Sequence, residues 1–519
     1  MLFNSYAFIF LFLPLTLALF FAMARISHVF AAGWLAAASL FFYGWWNPAY
    51  VGLLMLSISF NYLAGMRIAR AVAQVQHLRR KWLTVFAVAA NLLLLGYYKY
   101  SNFFLSNAAS VMGFAPPQAD IILPLGISFF TFTQIAFLVD TYQGKVKEYR
   151  FVHYCLFVTY FPHLIAGPIL HHAEMMPQFA RDSTYHPRAE NIALGLTIFF
   201  IGLFKKVILA DGIAQYVAPL YGLPGAGVAP GFWEAWSAAL AYTFQLYFDF
   251  SGYSDMAVGL SLMFGVKLPI NFHSPYKAVN IIEFWRRWHI TLSRFLRDYL
   301  YVPLGGNRKG PARRYINLLL TMLVGGLWHG AGWTFVLWGA LHGVYLCINH
   351  AWRRLRASLG HDLARSTATG RALSCALTFI AVVAGWVIFR ADSINSATAM
   401  LAGMAGLNGF ALPDQWLAKS GAPGLWLASA GVAFTESRGL VTGGLINWIV
   451  ILLAIVWFAP NTQQIMARFD PALLIPRNMA AARKLAWRPT VAFGLLVAVL
   501  AFVSIVNLHR QSEFLYFQF

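Results

Sequence analysis

Long apolar runs recur along the whole chain, and they constrain its fold more than any other feature. A helix needs about 20 mostly apolar residues to cross a bilayer, and only helices or closed barrels satisfy their backbone hydrogen bonds in lipid. The sequence therefore predicts an all-α polytopic membrane protein. The candidate spans are 6–23, 29–46, 49–66, 82–99, 121–139, 191–210, 232–250, 372–390, 443–459 and 489–507.

The composition agrees with a membrane location. Hydrophobic residues make up 60% of the chain and charged residues 11%, whereas soluble domains carry about 25% charged residues. The net charge of +20 would suggest nucleic-acid binding in a soluble protein, but membrane proteins collect Lys and Arg in cytoplasmic loops. The 3 cysteines stand singly, which indicates neither a disulfide framework nor a thiolate metal site.

Loop charges predict the orientation of the spans. Loop 67–81 contains basic residues and no acid, which is typical of a cytoplasmic loop. Loops 101–120 and 212–231 are almost uncharged and read as external. Counting spans from these loops places both termini outside and the basic segment 461–488 inside. The first apolar run has no Lys or Arg before Arg25, so we interpret it as a retained span and not as a signal peptide.

Three regions depart from a simple succession of spans. The run 151–170 lies between two loops of cytoplasmic type and contains Pro162 and Pro168, so we expect a re-entrant element. Segment 251–314 does not span. Within it, residues 281–300 form a predicted amphipathic helix in the cytoplasmic interface. Basic segments flank region 315–350 on both sides, so this region must leave the cytoplasm and return. The apolar positions of the amphipathic helix are Phe284, Trp288, Leu292, Phe295 and Tyr299.

His329 is the one histidine in the otherwise apolar run from Leu318 to Leu341, within the out-and-back region. The segment from Tyr315 to His329 is fifteen residues long, or about 22 Å of helix, and the hydrocarbon core is roughly 30 Å thick. An ionisable residue at that depth is a functional-site hypothesis by default. A neutral imidazole there could act as a general base. The alternative is a core histidine bonded to a backbone carbonyl.

The other polar candidates have structural alternatives. On the residues alone, His289 reads as an interfacial histidine that faces lipid headgroups. The eight Lys and Arg residues of 286–314, against one acid, either attract lipid headgroups or form a vestibule for an anionic donor. Asp249 and Asp255 are either ion-transport groups or, as we favour, structural carboxylates. The clusters of His171, His172 and Glu174, and of His342 and His350, match no metal-site spacing.

Two stretches resemble one known family. Residues 283–310 (EFWRRWHITLSRFLRDYLYVPLGGNRKG) and 325–343 (GGLWHGAGWTFVLWGALHG) closely resemble the membrane-bound O-acyltransferase (MBOAT) family. The nearest group within it is the bacterial alginate and polysaccharide O-acetylation proteins. The resemblance implies a single MBOAT domain over 1–519, divided into N-terminal spans 1–150, a re-entrant and catalytic core 151–350 and C-terminal spans 351–519. It also implies a ring of about 11–13 membrane helices, with re-entrant and interfacial helices and a funnel from each face. Supporting stretches are 161–170, 245–265 and 514–519.

The resemblance also implies residue roles. His329 matches the membrane-embedded catalytic histidine of the family. His289 matches a second position, which is His in bacterial members and often Asn or Asp in eukaryotic ones. Stretches 128–134 and 171–174 depart from the alginate type, which leaves the particular polymer open. The candidates for the substrate and donor channel are Trp285, Arg286, Arg287, Asn307, Trp328 and Asp255, and no metal ligand is expected.

The expected activity is transfer of an acetyl group from a cytoplasmic thioester, acetyl-CoA, to a periplasmic acceptor for alginate-type exopolysaccharide O-acetylation. The resemblance implies no bound cofactor, a location in the bacterial inner membrane and a periplasmic SGNH-type or related acetyltransferase as partner. One alternative is a transporter or flippase of an acyl or glycan intermediate. Transporters usually show two matched halves, however, and no such internal match is visible in this sequence. Another is an MBOAT acting on peptidoglycan, cellulose or lipid.

Overall fold

The computed structural model describes residues 1–113, 121–363, 366–414, 417, 421–430, 433–435, 438–476, 485–510 and 514–515. Parts of the predicted segments 101–120, 408–442 and 461–488 lie outside the described residues, as do positions 516–519 of the C-terminal stretch.

Helices dominate the described chain, because an apolar segment in lipid must satisfy its backbone hydrogen bonds internally. The predicted all-α class is confirmed, apart from a small parallel pairing between Leu412–Pro413 and Phe434–Thr435 and an isolated bridge between Pro269 and Leu473. The longer helices are Leu13–Ala24, His28–Gly44, Ala49–Ala73, His77–Leu95, Ser101–Met112, Ile127–Tyr142, Ala189–Phe204, Phe232–Met263, Gly310–His329, Trp333–Ser358, Ala368–Arg390, Ile394–Met404, Gly443–Phe458 and Val491–Val506.

Shorter helical segments connect or extend these helices. The α-helical ones are Phe151–Thr159, Phe161–Leu164, His172–Phe179, Asp211–Ala214, Val217–Tyr221, Ile281–Arg287, Ile290–Leu296, Ala422–Ser429 and Thr462–Ile465. The π-helical turns are Phe8–Phe12, Gly96–Tyr100, Lys205–Ala210 and Arg297–Tyr301, and the 3₁₀ turns are Asp182–Tyr185, Pro224–Ala226, Pro275–Lys277 and Asn507–Arg510.

The described helices include 5 that are long and apolar enough to cross a membrane. Three shorter apolar helices accompany them, Phe8–Ala24, His28–Gly44 and Gly443–Phe458. Several elongated apolar helices in one chain are what a multi-pass membrane protein requires. The 5 long ones are Ala49–Ala73, His77–Met112, Ala189–Ala214, Ala368–Arg390 and Val491–His509.

Several predicted boundaries were wrong. The helix predicted over 82–99 continues to Met112, so the described part of 101–120 is largely helical and not a loop. The span predicted from residue 121 begins only at Ile127. The external loop predicted at 212–231 contains short helices. Apolar residues continue beyond residue 99, and the helix continues there because its backbone hydrogen bonds can still be made.

The break in region 151–170 was predicted correctly. Two short helices, Phe151–Thr159 and Phe161–Leu164, are separated at Tyr160, whose φ of −50° and ψ of 111° are not helical. Pro162 stands in the first turn of the second helix, where its missing donor costs no hydrogen bond. The path of this element relative to a membrane stays a prediction.

The helix Phe232–Met263, here called the central helix, was predicted to end at residue 250 but runs 32 residues. Most of its side chains are buried, and its buried carboxylates, Asp249 and Asp255, have lysine partners. It contacts Ala189–Phe204 through paired glycines. A Cβ on Gly259 would lie 2.5 Å from the oxygen of Gly195, and one on Gly252 would lie 2.8 Å from the oxygen of Gly202. Small residues thus let the two backbones touch.

Region 315–350 folds as two helices joined by a turn, as an out-and-back path requires, and its path relative to a membrane stays a prediction. The helix Gly310–His329, here called the histidine helix, is followed after a three-residue turn by Trp333–Ser358, here called the return helix. The histidine helix begins five residues before the predicted start at Tyr315. Gly326 and Gly339 hold the pair together, since a Cβ on Gly326 would collide with the Phe335 oxygen and come within 3.0 Å of the Gly339 Cα.

Both ends of the chain pack on one residue of the central helix. The ring of Tyr253 is stacked on Phe3, with centroids 4.8 Å apart. The same ring makes an edge-to-face contact with Phe514, at 4.5 Å. Tyr6 near the N-terminus donates a hydrogen bond to the oxygen of Ile505 at 3.0 Å. The first and last described segments are therefore part of the core and not peripheral.

The buried apolar residues form two large clusters. The first gathers mainly the N-terminal half of the chain and includes Trp328 and Leu292. The second gathers mainly the C-terminal half and includes Trp338 and Trp288. Segment 288–292 and the end of the histidine helix therefore lie where the two clusters meet.

Candidate functional site

His329 is the last residue of the histidine helix. The chain after it is extended, with φ −159° and ψ 152° at Gly330, and turns into the return helix at Trp333. A Cβ on Gly330 would collide with the ring of Phe335, so this turn needs a glycine. The sequence Gly330-Ala331-Gly332 thus folds the chain tightly around the imidazole, which is 7% exposed.

Aromatic rings surround the His329 imidazole. Trp328 lies at 4.9 Å between ring centroids, Trp338 at 5.2 Å and Phe389 at 5.3 Å. Each comes from a different element: the histidine helix, the return helix and the helix Ala368–Arg390. An apolar wall of this kind excludes water and strengthens electrostatic interactions inside it.

The prediction of a single amphipathic helix over 281–300 was wrong. The structure breaks it into Ile281–Arg287 and Ile290–Leu296. His289 stands at the break with φ 43° and ψ 55°, a left-handed conformation that is uncommon outside glycine. Its side chain is 0% exposed and does not face lipid headgroups. The predicted apolar positions are nevertheless buried or half-buried, so the mistake concerns the continuity of the helix and not its buried face.

A neighbouring loop fixes the break at His289. Asn271 accepts a hydrogen bond from the Ile290 nitrogen at 3.0 Å through its main-chain oxygen. Its side-chain Oδ1 accepts one from Thr291 Oγ1 at 2.6 Å. The His273 nitrogen donates to the Arg287 oxygen at 2.9 Å. A left-handed residue persists only where its surroundings determine it in this way.

The two histidines that the sequence singled out face each other. Their ring centroids are 6.4 Å apart and the rings are inclined at 61°. Trp328 lies 6.1 Å from His289, and Phe250 of the central helix closes the other side of His289 at 4.8 Å. Across the described ranges, neither ring nitrogen of His289 has a hydrogen-bond partner. Both nitrogens are therefore available to hydrogen-bond a substrate atom.

Trp285 extends the aromatic lining. Its ring lies 5.8 Å from Trp338 and 5.2 Å from His342. His342 is completely buried and was considered before only as a metal ligand together with His350. His350 instead contacts Arg314 at 2.7 Å. Within the described residues, no group of three or more His, Cys, Asp or Glu side chains is close enough to hold a metal ion.

Ion pairs neutralise more of the positive charge of segment 286–314 than its sequence suggests. Carboxylates pair with three of its arginines: Arg287 with Glu283 at 2.5 Å, Arg294 with Glu174 at 2.8 Å, and Arg297 with Asp298 at 2.7 Å. Glu174 and Glu283 lie outside the counted segment. The candidates Arg286 and Asn307 are exposed.

Positive charge does remain near Arg287. Burial lowers the pKa of His273 in the adjacent loop, and Arg287 and Lys277 lower it further. Arg287 and Lys277 thus both lie close enough to act on this loop, and Arg287 is also paired with Glu283.

Asp249 and Asp255 have other partners, and they lie inside the central helix, although the predicted span ended at residue 250. Asp255 pairs with Lys205 at 2.5 Å and accepts a hydrogen bond from Thr462 at 2.6 Å. Asp249 pairs with Lys206 at 2.6 Å. These ion pairs favour the structural interpretation, and they give Asp255 a role apart from the histidines.

Lys99 is a neighbour of His329 that sequence reasoning missed. It follows two tyrosines in the π-helical turn Gly96–Tyr100, and its Nζ donates hydrogen bonds to main-chain oxygens of Trp328 and His329. A lone lysine in an apolar and aromatic run was the available signal, by the same argument that singled out His329.

A cavity of about 450 Å³ opens beside the turn that follows His329. Its lining comes from the turn itself, from helix Ser101–Met112 and from the segment after Arg390. The lining is mostly polar or aromatic and includes Asn107, Trp333, Thr334, Asp392, Ser393 and Asn395. A hydroxyl-bearing molecule could be held there by hydrogen bonds.

Comparison with known proteins identifies relatives of this chain. The family model described as MBOAT, membrane-bound O-acyltransferase family, matches residues 17–389. A peptidoglycan O-acetyltransferase of Helicobacter pylori is 46% identical over 79% of this chain and 81% of its own length. A probable alginate O-acetylase of Azotobacter vinelandii is 40% identical over 100% of both chains. A teichoic acid D-alanyltransferase of Streptococcus thermophilus is 27% identical over 51% of this chain and 68% of its own.

Proposed function

Because the chain belongs to the membrane-bound O-acyltransferase family and is an acyltransferase, we propose that it transfers an acetyl group from a cytoplasmic thioester, acetyl-CoA, to a hydroxyl on the outer side of the bacterial inner membrane. The acceptor serves O-acetylation of an alginate-type exopolysaccharide. The observation that carries this proposal is the pair of buried imidazoles, His289 and His329, with ring centroids 6.4 Å apart. They lie in an aromatic chamber, the space lined by Phe250, Trp328, Trp338 and Phe389.

The proposed chemistry assigns one role to each histidine. The acceptor hydroxyl oxygen attacks the thioester carbonyl carbon while His329 removes the hydroxyl proton. The carbon–sulfur bond then breaks, and the sulfur leaves as a thiol after taking up that proton. The products are an acetyl ester and free coenzyme A. His289 donates a hydrogen bond to the thioester carbonyl and orients it.

Two features support a direction of transfer. Arg287 and Lys277, the cations that act on His273, lie in the segment that loop charges assign to the cytoplasm, and they suit a phosphorylated donor. The cavity lined by Trp333 and Asn395 lies beside the His329 turn, and its lining suits an acceptor. A periplasmic SGNH-type or related acetyltransferase would dock there, and both termini would face the periplasm.

Alginate-type exopolysaccharide is preferred because the Azotobacter relative aligns over the whole of both chains. Peptidoglycan is the second candidate. It is favoured by the higher identity, 46%, to the Helicobacter relative. Both polymers offer hydroxyl acceptors, so the chemistry at His329 is the same for either.

The test replaces the proposed base. His329→Ala should lower the O-acetyl content of the polymer at least about 100-fold, since loss of a general base typically costs 10²–10⁴ in rate. Ester-linked acetate is measured separately in purified exopolysaccharide and purified peptidoglycan, and the fraction that loses it identifies the polymer.

The matched control is His186→Ala, which removes an exposed histidine that pairs with Asp182. It should acetylate normally. Unchanged acetylation by His329→Ala, at a normal amount of membrane protein, would contradict the catalytic assignment. For the donor, purified protein in vesicles should release free thiol from acetyl-CoA in the presence of acceptor, and inertness toward every thioester tested would refute the proposed reaction.

A further inference from the structure

We infer that Lys99 and Tyr100 are positioning residues for His329, because together they bind the end of the helix that carries it. This inference rests on the proposed catalytic role of His329 and extends it to residues outside the histidine motifs. Lys99 and Tyr100 lie more than 220 positions earlier in the chain, in the π-helical turn that joins His77–Leu95 to Ser101–Met112.

The contacts form a continuous series. Tyr100 donates its hydroxyl to the Leu327 oxygen at 2.7 Å. Lys99 Nζ donates to the Trp328 oxygen at 2.6 Å and to the His329 oxygen at 3.0 Å. Three consecutive main-chain oxygens that end the histidine helix are thus bound by two adjacent side chains.

These oxygens need outside donors. The last four carbonyls of a helix have no partner within it, and at Gly330 the chain is extended and does not continue the helix. An ammonium group has three donors and no acceptor. Lys99 Nζ has three oxygen neighbours, the third being Ser128 Oγ at 3.5 Å. The number of donors therefore matches the number of acceptors.

The same segment also holds the far side of the turn. Asn107 Oδ1 accepts a hydrogen bond from Trp333 Nε1 at 2.8 Å, and the ring of Phe103 lies 5.7 Å from that of Trp333. His329 is consequently fixed on both flanks by residues 99–107. A base must stay within hydrogen-bond reach of the proton that it removes, and a displacement of about 1 Å can cost 10²-fold in rate.

Lys99 and Tyr100 both belong to the π-helical turn Gly96–Tyr100. Such turns insert one residue into an α-helix and frequently occur at functional sites. Here two adjacent residues of the turn reach the same helix end.

The experiment compares purified Lys99→Met, Tyr100→Phe and His329→Ala proteins in vesicles, with acetyl-CoA as donor and rates normalised to folded protein. Lys99→Met should lower kcat at least about 10-fold and leave KM for acetyl-CoA within about twofold. Tyr100→Phe, which loses one of the three bonds, should lower kcat about two- to fivefold. Lys99→Arg should restore part of the activity, because it again donates to the carbonyls.

Lys267→Met is the matched control, because it also removes a lysine bond to a main-chain oxygen, that of Asp470 at 2.5 Å, but far along the chain from the histidine helix. It should keep its rate. A purely structural role for Lys99 predicts a lower melting temperature with an unchanged kcat per folded molecule, and that result would overturn the inference.

The two hypotheses fail in different ways. An inactive His329→Ala with a fully active Lys99→Met refutes the positioning role alone. Full activity in both refutes the catalytic assignment of His329. If Lys99→Met lowers the yield of folded protein, Tyr100→Phe and Lys99→Arg decide by the same criterion, and wild-type kcat in both of them counts against positioning.

Discussion

At the scale of single residues, the site depends on backbone conformation as much as on side-chain chemistry. His289 points into the chamber because its own φ is positive and the chain breaks there. The imidazole thus reaches the aromatic interior from a segment whose apolar pattern looks like one continuous helix. Asn271 and Thr291 hold the break from outside.

Substitutions at position 289 should separate these two contributions. His289→Gly keeps the left-handed backbone without a side chain, so it should fold with a normal melting temperature but lose at least about 10-fold in kcat. His289→Asn should retain partial activity, because an amide can still orient a carbonyl. His289→Val should be destabilised by about 1–3 kcal/mol, since a β-branched residue resists this conformation.

Thermal unfolding and initial rates on the same preparations provide the measurement. Equal activity in His289→Gly and wild type would show that the imidazole is dispensable. Equal stability in His289→Val and wild type would show that the backbone at this position is unstrained.

The sequence predicted which residues matter here better than how they are held. An ionisable group in an apolar run is visible in the sequence, and this identified His329. The break at 288–290 has no proline or glycine to announce it. Lys99 was missed because its partners are main-chain oxygens more than 220 positions away, and carbonyls carry no sequence signal.

At the scale of elements, two helices in contact present the proposed base at their shared turn. Gly326 and Gly339 bring the histidine helix and the return helix into backbone contact. That the chain turns back within 315–350 was predictable from the basic residues on both sides of the region, because such residues favour the cytoplasmic side. The closeness of the pair was not, since glycine serves packing and turns equally well.

Gly326→Ala should test this contact. The added methyl would collide with the Phe335 oxygen, and overpacking of this kind costs about 1–3 kcal/mol. We expect a lower melting temperature and a lower kcat, because the return helix carries Trp338 of the chamber wall. Gly52→Ala is the control, as a Cβ there meets nothing within 4 Å. Equal melting temperatures for Gly326→Ala and Gly52→Ala would contradict the packing argument.

At the scale of the whole molecule, buried ion pairs connect distant parts of the chain. Lys206 is 1% exposed and pairs with Asp249 at 2.6 Å and with Asp211 at 2.9 Å. The Leu515 nitrogen donates to Asp249 at 3.1 Å, and Lys206 Nζ lies 4.9 Å from the centroid of the Phe514 ring. These contacts fasten the C-terminal segment to the central helix.

Removing one partner of this network should be costly. Lys206→Met should lower the free energy of unfolding by about 3–5 kcal/mol, because it leaves buried carboxylates without their cation. Adding Asp249→Leu should recover part of that loss. Lys267→Met, at an exposed pair with Asp470, should cost no more than about 1 kcal/mol. Chemical denaturation in detergent measures all three, and equal losses for Lys206→Met and Lys267→Met would refute a stabilising network.

The packing of Phe3 and Phe514 on Tyr253 has a topological consequence. Both rings lie within 5 Å of the same ring, whereas the hydrocarbon core is roughly 30 Å thick. Residues that contact the same ring lie at one depth, which agrees with the proposed periplasmic location of both termini. Reporters fused to the two ends should therefore give the same reading, and opposite readings would contradict that proposal.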